Sequence, residues 1–559
     1  MTGPLVIEDP AEPFQYSEER TLMLTDWWHE QVRTLAAGLA QKTFRWVGDP
    51  ASVLINGKGC FAKSVSKVQC TVNITCPSID RAHVIDVEPG KTYRLRLINS
   101  GALSYLNFAI EGHVLTVVEI DGHYVEPYNT SSIELNTGER VSVLLTANQP
   151  VANYWAHAQI RFREQVSGQA VLRYKGAPLA LPTTPLPTQY AAEPLTFPYS
   201  DSAFLNASTE FVRHANKIVA SPAQSLAYGG CPGNNSSKSK LFVVVGTQER
   251  MDRDGMVSYT PYRFPPGGAD KWTGNVNVDP AYAGSFGWYD DKTVDGKGRA
   301  DGWMKWPLAI SMPGDSNARL PEGGTAMELP ATPLLLAIYY KLYDEPRQPP
   351  PHNLLFLEEG DVVTIVLQNA RALNGRMEQH PWHLHGHTFW VIGRGVGLWS
   401  ESAAREYNTV NPPLQDVITL YPFTWVALRF IADNPGVHGF HCHIDWHLEM
   451  GMHTHFVEMA SKIPPPPPDL PICGGITSEL ITKRAAVNAA PTSTPARASA
   501  APTGSVSDHT IGLGIGLPVG LIVGLGIGVF ATMVLMQRQQ RRQQGVKHQR
   551  SGGGAEMLS

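Results

Sequence analysis

Charge is sparse in this 559-residue chain: 17% of residues are Asp, Glu, Lys or Arg, and the net charge is −5. The basic residues cluster only at the extreme C-terminus, which argues against nucleic acid as a partner. Cysteine is scarce too, with Cys60, Cys70, Cys76, Cys231, Cys442 and Cys473 making six in all. The opening residues MTGPLVIEDP have neither a basic start nor an apolar core, so they do not read as a signal peptide. Long apolar runs are missing except for Ile511 to Met536, 26 residues without a charge, more than the roughly 20 that cross a bilayer. Arg538, Arg541, Arg542, Lys547 and Arg550 follow it and place the C-terminus in the cytoplasm. Gly520, Gly524 and Gly528 recur at the four-residue spacing that lets such helices pair closely, which suggests a homodimer through the membrane.

The chain does have ample apolar content, 43%, and a β-rich pattern. TYRLRLINS, HVLTVVEIDG and RVSVLLTANQP alternate apolar and polar residues between turn signals, as do KLFVVVGTQ, DVVTIVLQ and TWVALRFIADNPG further on. This predicts sandwiches of short strands. Residues 176–215, rich in Pro, Thr and Ala, read as a linker, and 471–510 as a Pro/Ala/Thr/Ser stalk. The Gly-rich stretch 252–325, with DDKTVDGKGRADG, lacks the terminal Glu of a calcium loop and reads as a surface loop. Sequons at Asn73, Asn129, Asn206, Asn234 and Asn235 fit a glycoprotein of the secretory route.

The chemistry is concentrated in two short stretches, HPWHLHGH at 380–387 and HGFHCHIDWHLEMGM at 438–452. If His441, Cys442 and His443 lie in an extended strand, the side-chain period of two puts both histidines on one face and the thiol on the other. One strand then serves two metal centres. His447, four residues past His443, can return toward Cys442 on one turn of helix, and Met452 can add a weak thioether. With His380 this makes the soft, trigonal donor set that suits a blue copper electron-transfer site. His383 and His385 share a face by the same alternation and belong to a second cluster. Copper at Cys442 leaves five cysteines, so one is free or has its partner elsewhere.

Both stretches resemble the C-terminal copper motifs of the multicopper oxidases. The resemblance implies an all-β fold of tandem cupredoxin-like Greek-key sandwiches, followed here by a C-terminal transmembrane helix. It implies that His380, Cys442, His447 and axial Met452 hold type 1 copper, that His383 is a type 2 ligand, and that His385, His441 and His443 are type 3 ligands. His387, His438, His453 and His455 match no ligand position. Small-molecule reductants would give up single electrons at the type 1 site, and the Cys442 links to His441 and His443 would carry them to a cluster that reduces dioxygen to water.

TDWWHEQ, FRWVGDP, LINGKGC, LNFAIEGH and VVEIDGHYVEP are similar to ascorbate oxidases in particular. By that similarity residues 1–19 are the remnant of a first cupredoxin domain, 20–175 a second and 216–470 a third with the copper motifs; the apolar run gives 511–536 as the transmembrane helix and 537–559 as a basic cytoplasmic tail. Cys60 and Cys70 would be bridged locally, and Cys76 and Cys473 would pair with that first domain. Of the eight cluster histidines that the family uses, only His383, His385, His441 and His443 find a match. The 559 residues alone are therefore expected to bind one copper tightly and to consume little oxygen. A non-catalytic copper-binding membrane protein is then the alternative from another class.

Trp46 and Trp306 match the tryptophans that stack on an enediol substrate, or are simply packed aromatics. Asp49 lies close to the acid that laccases use to accept a phenolic proton. Glu111 matches one acid of the iron-oxidising members, but Arg376 stands where the second would be, which disfavours ferroxidase activity. The reading is a laccase-like or ascorbate oxidase-like enzyme acting on phenolic or enediol donors, of a kind that serves pigment or secondary-metabolite biosynthesis. Its catalytic domains would be extracellular or lumenal.

Overall fold

In the computed structural model, the described residues are 3–40, 45–60, 78–163, 166–186, 217–222, 230–233, 239–246, 249–251, 303–305, 308–311, 332–342, 354–369, 379–396, 399, 401–422, 424–467, 469–470, 476–479 and 481–482. All belong to one compact unit spanning residues 1–489; a second comprises 490–559. The predicted membrane span at 511–536, the tail, most of the linker and stalk, the DDKTVDGKGRADG segment, Cys70, Cys76, Cys473, Trp306 and Arg376 lie outside the described residues. No helix among the described residues is long and apolar enough to cross a membrane.

The alternating patterns form strands because one face of each is apolar and needs a second sheet to cover it. In Thr92–Asn99 the buried residues Tyr93, Leu95 and Leu97 point inward, and Val141, Val143 and Leu145 do the same in Arg140–Thr146. The two strands pair antiparallel with Leu95 opposite Val143. They sit at the centre of a six-stranded sheet ordered Ser52–Ile55, Glu18–Trp27, Thr92–Asn99, Arg140–Thr146, Leu115–Ile120, His123–Thr130. A five-stranded sheet closes over it, contributing Phe108, Ile110, Ile133, Leu135, Ala156 and Leu172 to a shared core.

The second half repeats this plan. A six-stranded sheet contains Ser239–Gly246, Val362–Asn369, Thr424–Ile431 and Phe389–Val396, and a five-stranded sheet runs Leu354–Leu357, His453–Glu458, Gly436–Cys442, His380–Leu384, Val417–Leu420. Between them lie Ile365, Leu367, Leu428, Phe430, Phe440, Phe456 and Trp382. Each such side chain contributes roughly 1.5–3 kcal/mol by leaving water. This is the tandem-sandwich, mostly β architecture that the sequence pattern predicts.

The same core also takes in Leu35, Leu39, Val47 and Leu103 from the first half, with Trp28 and Trp46 packed at its edge. Trp28 meets Trp446 edge to face at 5.6 Å, so it serves packing between the two halves, whereas its neighbour Trp27 is exposed. Cys60 is held in a disulfide whose partner lies outside the described residues, whereas neither Cys231 nor Cys442 takes part in a disulfide.

Candidate copper centre

The central strand of the second five-stranded sheet decides where the histidines go. His380–Leu384 pairs antiparallel with Gly436–Cys442, with Trp382 opposite Cys442 and His383 opposite His441. Directly opposed residues share a face, and alternation does the rest. His380, Trp382 and Cys442 point into the core, while His383 and His441 point the other way. An odd separation of three residues is enough to send His380 and His383 to opposite faces of one strand.

On the core face, Cys442 Sγ lies 3.6 Å from His380 Nδ1 and 3.5 Å from His447 Nδ1. His447 reaches it from the short helix Asp445–Glu449, and all three residues are buried. Met452 is fully buried in the same cluster, and its backbone N–H donates to the His447 carbonyl at 3.0 Å while its carbonyl accepts from Cys442 N. Donors about 3.5 Å apart surround a point roughly 2 Å from each, within the range of metal–nitrogen and metal–sulfur bonds. The thiol and two imidazoles therefore fit a copper ion in both softness and spacing.

On the opposite face, His383, His385, His441 and His443 converge. His385 Nε2 lies 3.0 Å from His441 Nε2, and the His383 ring is 4.9 Å from His385 and 5.6 Å from both His441 and His443. Backbone carbonyls aim two of these rings: Asp416 O is 2.7 Å from His383 Nδ1, and Cys442 O is 2.9 Å from His441 Nδ1. With Nδ1 held as the donor, Nε2 keeps its lone pair for a metal.

Burial, reinforced by neighbouring histidines, holds His441 down to about 3 and His443 down to about 4, and burial also lowers His385. All three are neutral at pH 7, the ligand form of imidazole. His123, at the boundary between the two sandwiches, is lowered to about 4 by burial as well. A folded value below the unfolded value of roughly 6.5 means that the unfolded chain binds more protons in between. The metal-free protein should keep this stability above about pH 6.5 and lose it progressively as pH falls toward 4, by up to roughly 1.4 kcal/mol per pH unit for each displaced proton. Thermal melts across that window check it; a flat profile would mean that these rings are not buried neutral.

The first sandwich braces this cluster through residues that sequence reading passed over. Thr137 Oγ1 donates to the His443 carbonyl at 2.8 Å. Gly138, at φ +83°, lies against the His443 ring so closely that a Cβ would come within 2.6 Å of it. Arg140 Nη2 donates to Asp416 Oδ2 at 2.8 Å, holding the residue whose carbonyl orients His383.

Models of the multicopper oxidase family match residues 18–177 and 328–462. An L-ascorbate oxidase from Cucumis sativus is 33% identical over 508 residues, covering 84% of this chain and 72% of that protein. The chain belongs to the multicopper oxidase family. A putative laccase from Oryza sativa subsp. japonica is 30% identical over 441 residues, covering 71% of this chain and 68% of that one. The crystal structure of a laccase from Botrytis aclada shares the fold with a TM-score of 0.52 at 23% identity, over 87% of this chain and 70% of that one. Membership makes this multicopper oxidase a copper-dependent oxidoreductase with a small-molecule reductant and dioxygen as substrates.

The expected substrate residues fall in different places. Trp46 is half-buried beside His447, with ring centroids 6.3 Å apart. Arg163 lies over the Trp46 ring at 5.9 Å, and its Nη1 donates to Asp49 Oδ1 at 3.3 Å. Trp46 and Asp49 thus meet next to a type 1 candidate ligand, joined by an arginine that no motif announced. Glu111 accepts instead from Trp155 N at 3.1 Å and Thr184 Oγ1 at 3.0 Å, and no copper-site residue is among its hydrogen-bond partners.

Proposed function

We propose that this multicopper oxidase removes single electrons from small phenolic or enediol reductants at the His380, Cys442, His447 and Met452 site and reduces dioxygen to water at the four-imidazole side. The observation that carries this reading is one strand on which Cys442 faces two imidazoles while its neighbours His441 and His443 face another two. Bound copper would supply the one-electron redox chemistry. The protein supplies a buried thiol, two imidazoles that fix the donor triangle around it, and a covalent path one residue long from Cys442 to each flanking histidine. Trp46 offers a face for an aromatic or enediol ring beside His447. Arg163 engages Asp49 Oδ1, which leaves Oδ2 to accept the proton that a phenol loses with its electron. The L-ascorbate oxidases among its relatives support an enediol donor.

The test is anaerobic. Copper-loaded protein should be bleached by stoichiometric ascorbate or a diphenol, and with four of the family's eight cluster histidines matched in these 559 residues its colour should return only slowly on admission of dioxygen. No bleaching by either donor would remove this class of substrate. Trp46→Ala should raise KM by roughly 2- to 10-fold, the equivalent of ~0.5–1.5 kcal/mol for a lost stacking face, and leave the absorption spectrum intact. Unchanged kinetics would move the donor site elsewhere.

The same reading places the sandwiches outside a membrane, tethered by 511–536 with the basic tail in the cytoplasm. Its support is the charge-free run followed by five cations. Protease added to intact cells should release the copper domains with glycans at Asn129, an exposed sequon, and spare the tail. An unglycosylated, protease-resistant product would reverse the orientation.

A further inference from the structure

The second sandwich contains another gathering of metal-ligating side chains, distinct from both sites above. His387, His438 and Glu458 each bring one donor atom within 4.8 Å of the other two. His438 stands on Gly436–Cys442 four residues before Cys442, an even separation that puts it on the same interior face, roughly 13 Å along the strand. Glu458 is opposite Gly436 in the register, so it shares that face, and its side chain is fully buried. His387 Nε2, on a side chain 5% exposed, lies 2.8 Å from Glu458 Oε1.

A carboxylate inside a sandwich costs several kcal/mol unless a cation or metal meets it. Among the described residues no Lys or Arg pairs with Glu458; its other contact is the Asn434 N–H at 3.3 Å. The two imidazoles are set up from outside. His438 Nε2 is 2.8 Å from the Asn434 carbonyl, which makes Nε2–H the donor and leaves the Nδ1 lone pair inward. His387 Nδ1 faces the exposed Asp433 carboxylate at 3.8 Å, leaving Nε2 toward Glu458. An oxygen partner on the far nitrogen, as the Asn434 carbonyl is for His438, is how metal-ligating histidines are oriented. Gly386 and Gly436 keep the His438 ring in place: a Cβ on Gly386 would come within 2.3 Å of Nδ1, and one on Gly436 within 3.0 Å of Nε2.

We propose that His387, His438 and Glu458 bind a divalent transition-metal ion of borderline softness, such as zinc. Two imidazoles and a carboxylate are a donor set for such ions, with a remaining position for water. The ion ties the turn at Gly386 and His387 to the strands Gly436–Cys442 and His453–Glu458, three segments that hold or adjoin the copper ligands.

The test uses the full chain with its copper sites filled first, then titrated with Co2+ as a coloured probe. The wild-type protein should take up one further equivalent with visible ligand-field bands. His438→Gln and Glu458→Gln should each raise its Kd by 100-fold or more while keeping the blue absorption. Asp433→Asn, which changes only an exposed outer partner and so does not threaten folding, should weaken binding by about 10- to 100-fold. No uptake beyond the copper sites, as a His387–Glu458 ion pair alone would give, overturns the proposal. Equal uptake by wild type and Asp433→Asn together with either core variant does the same.

Discussion

Cys442→Ser is expected to abolish the intense blue absorption of the copper-loaded protein and its bleaching by reductant. The thiolate is the soft donor of the set, and a hydroxyl neither ionises at pH 7 nor offers comparable covalency to copper. His380 and His447 would remain, so weak copper binding persists without colour. The loss should exceed the roughly 10- to 100-fold that follows removal of an outer partner, because here a ligand itself is gone. A buried hydroxyl lacking a hydrogen bond adds a stability cost of about 1–3 kcal/mol, which circular dichroism and a melt would register separately from the spectrum. Met452→Leu is the matched control: it should keep the colour and raise the potential. Persistence of the blue band in Cys442→Ser would sink the assignment.

Arg140→Ala should be the most destabilising change at the boundary between the two sandwiches, about 3–5 kcal/mol. Arg140 engages Asp416 and also lies 3.4 Å from Asp121 Oδ1, on a side chain that is fully buried. Burial pushes the Asp121 carboxyl well above its usual range, and the Arg140 charge opposes that shift. Without the guanidinium, an acid in the interior is left uncompensated. Asp121 also accepts from Val417 N at 3.3 Å, and Asp416 O orients His383, so metal affinity on the four-imidazole side should fall as well. By contrast, Arg20→Ala breaks an exposed pair with Glu18 at 2.6 Å and should cost no more than about 1 kcal/mol, since water screens it. Urea unfolding and metal content of the two variants decide the matter. Equal midpoints would mean that Arg140 does not hold the boundary; partial recovery on adding Asp121→Asn would locate the cost in the orphaned carboxylate.

What could be read from sequence followed from parity. TYRLRLINS and RVSVLLTANQP announced their strands because alternate residues must face a core, and HCH with HLH announced two faces for the same reason. The return of His447 was visible because four residues make about one turn of helix. These are local rules, and residues within five positions of each other obeyed them.

The rest depended on chain segments far apart in sequence. Arg140 meets Asp416, Gly138 meets His443, and His387 meets His438 and Glu458, across separations that no periodicity records. His387 and His438 matched no motif and were passed over, yet the antiparallel register that aligns His383 with His441 also brings them together. Asp416 acts on His383 through its backbone carbonyl, a group every residue has and no sequence can single out. Sequence by itself determined the sandwich strands and the face that each candidate copper donor occupies, because strand geometry is set by neighbours along the chain. Only the tertiary structure decided what aims those donors and what covers them, because that requires two sheets and two sandwiches to exclude water from the same place.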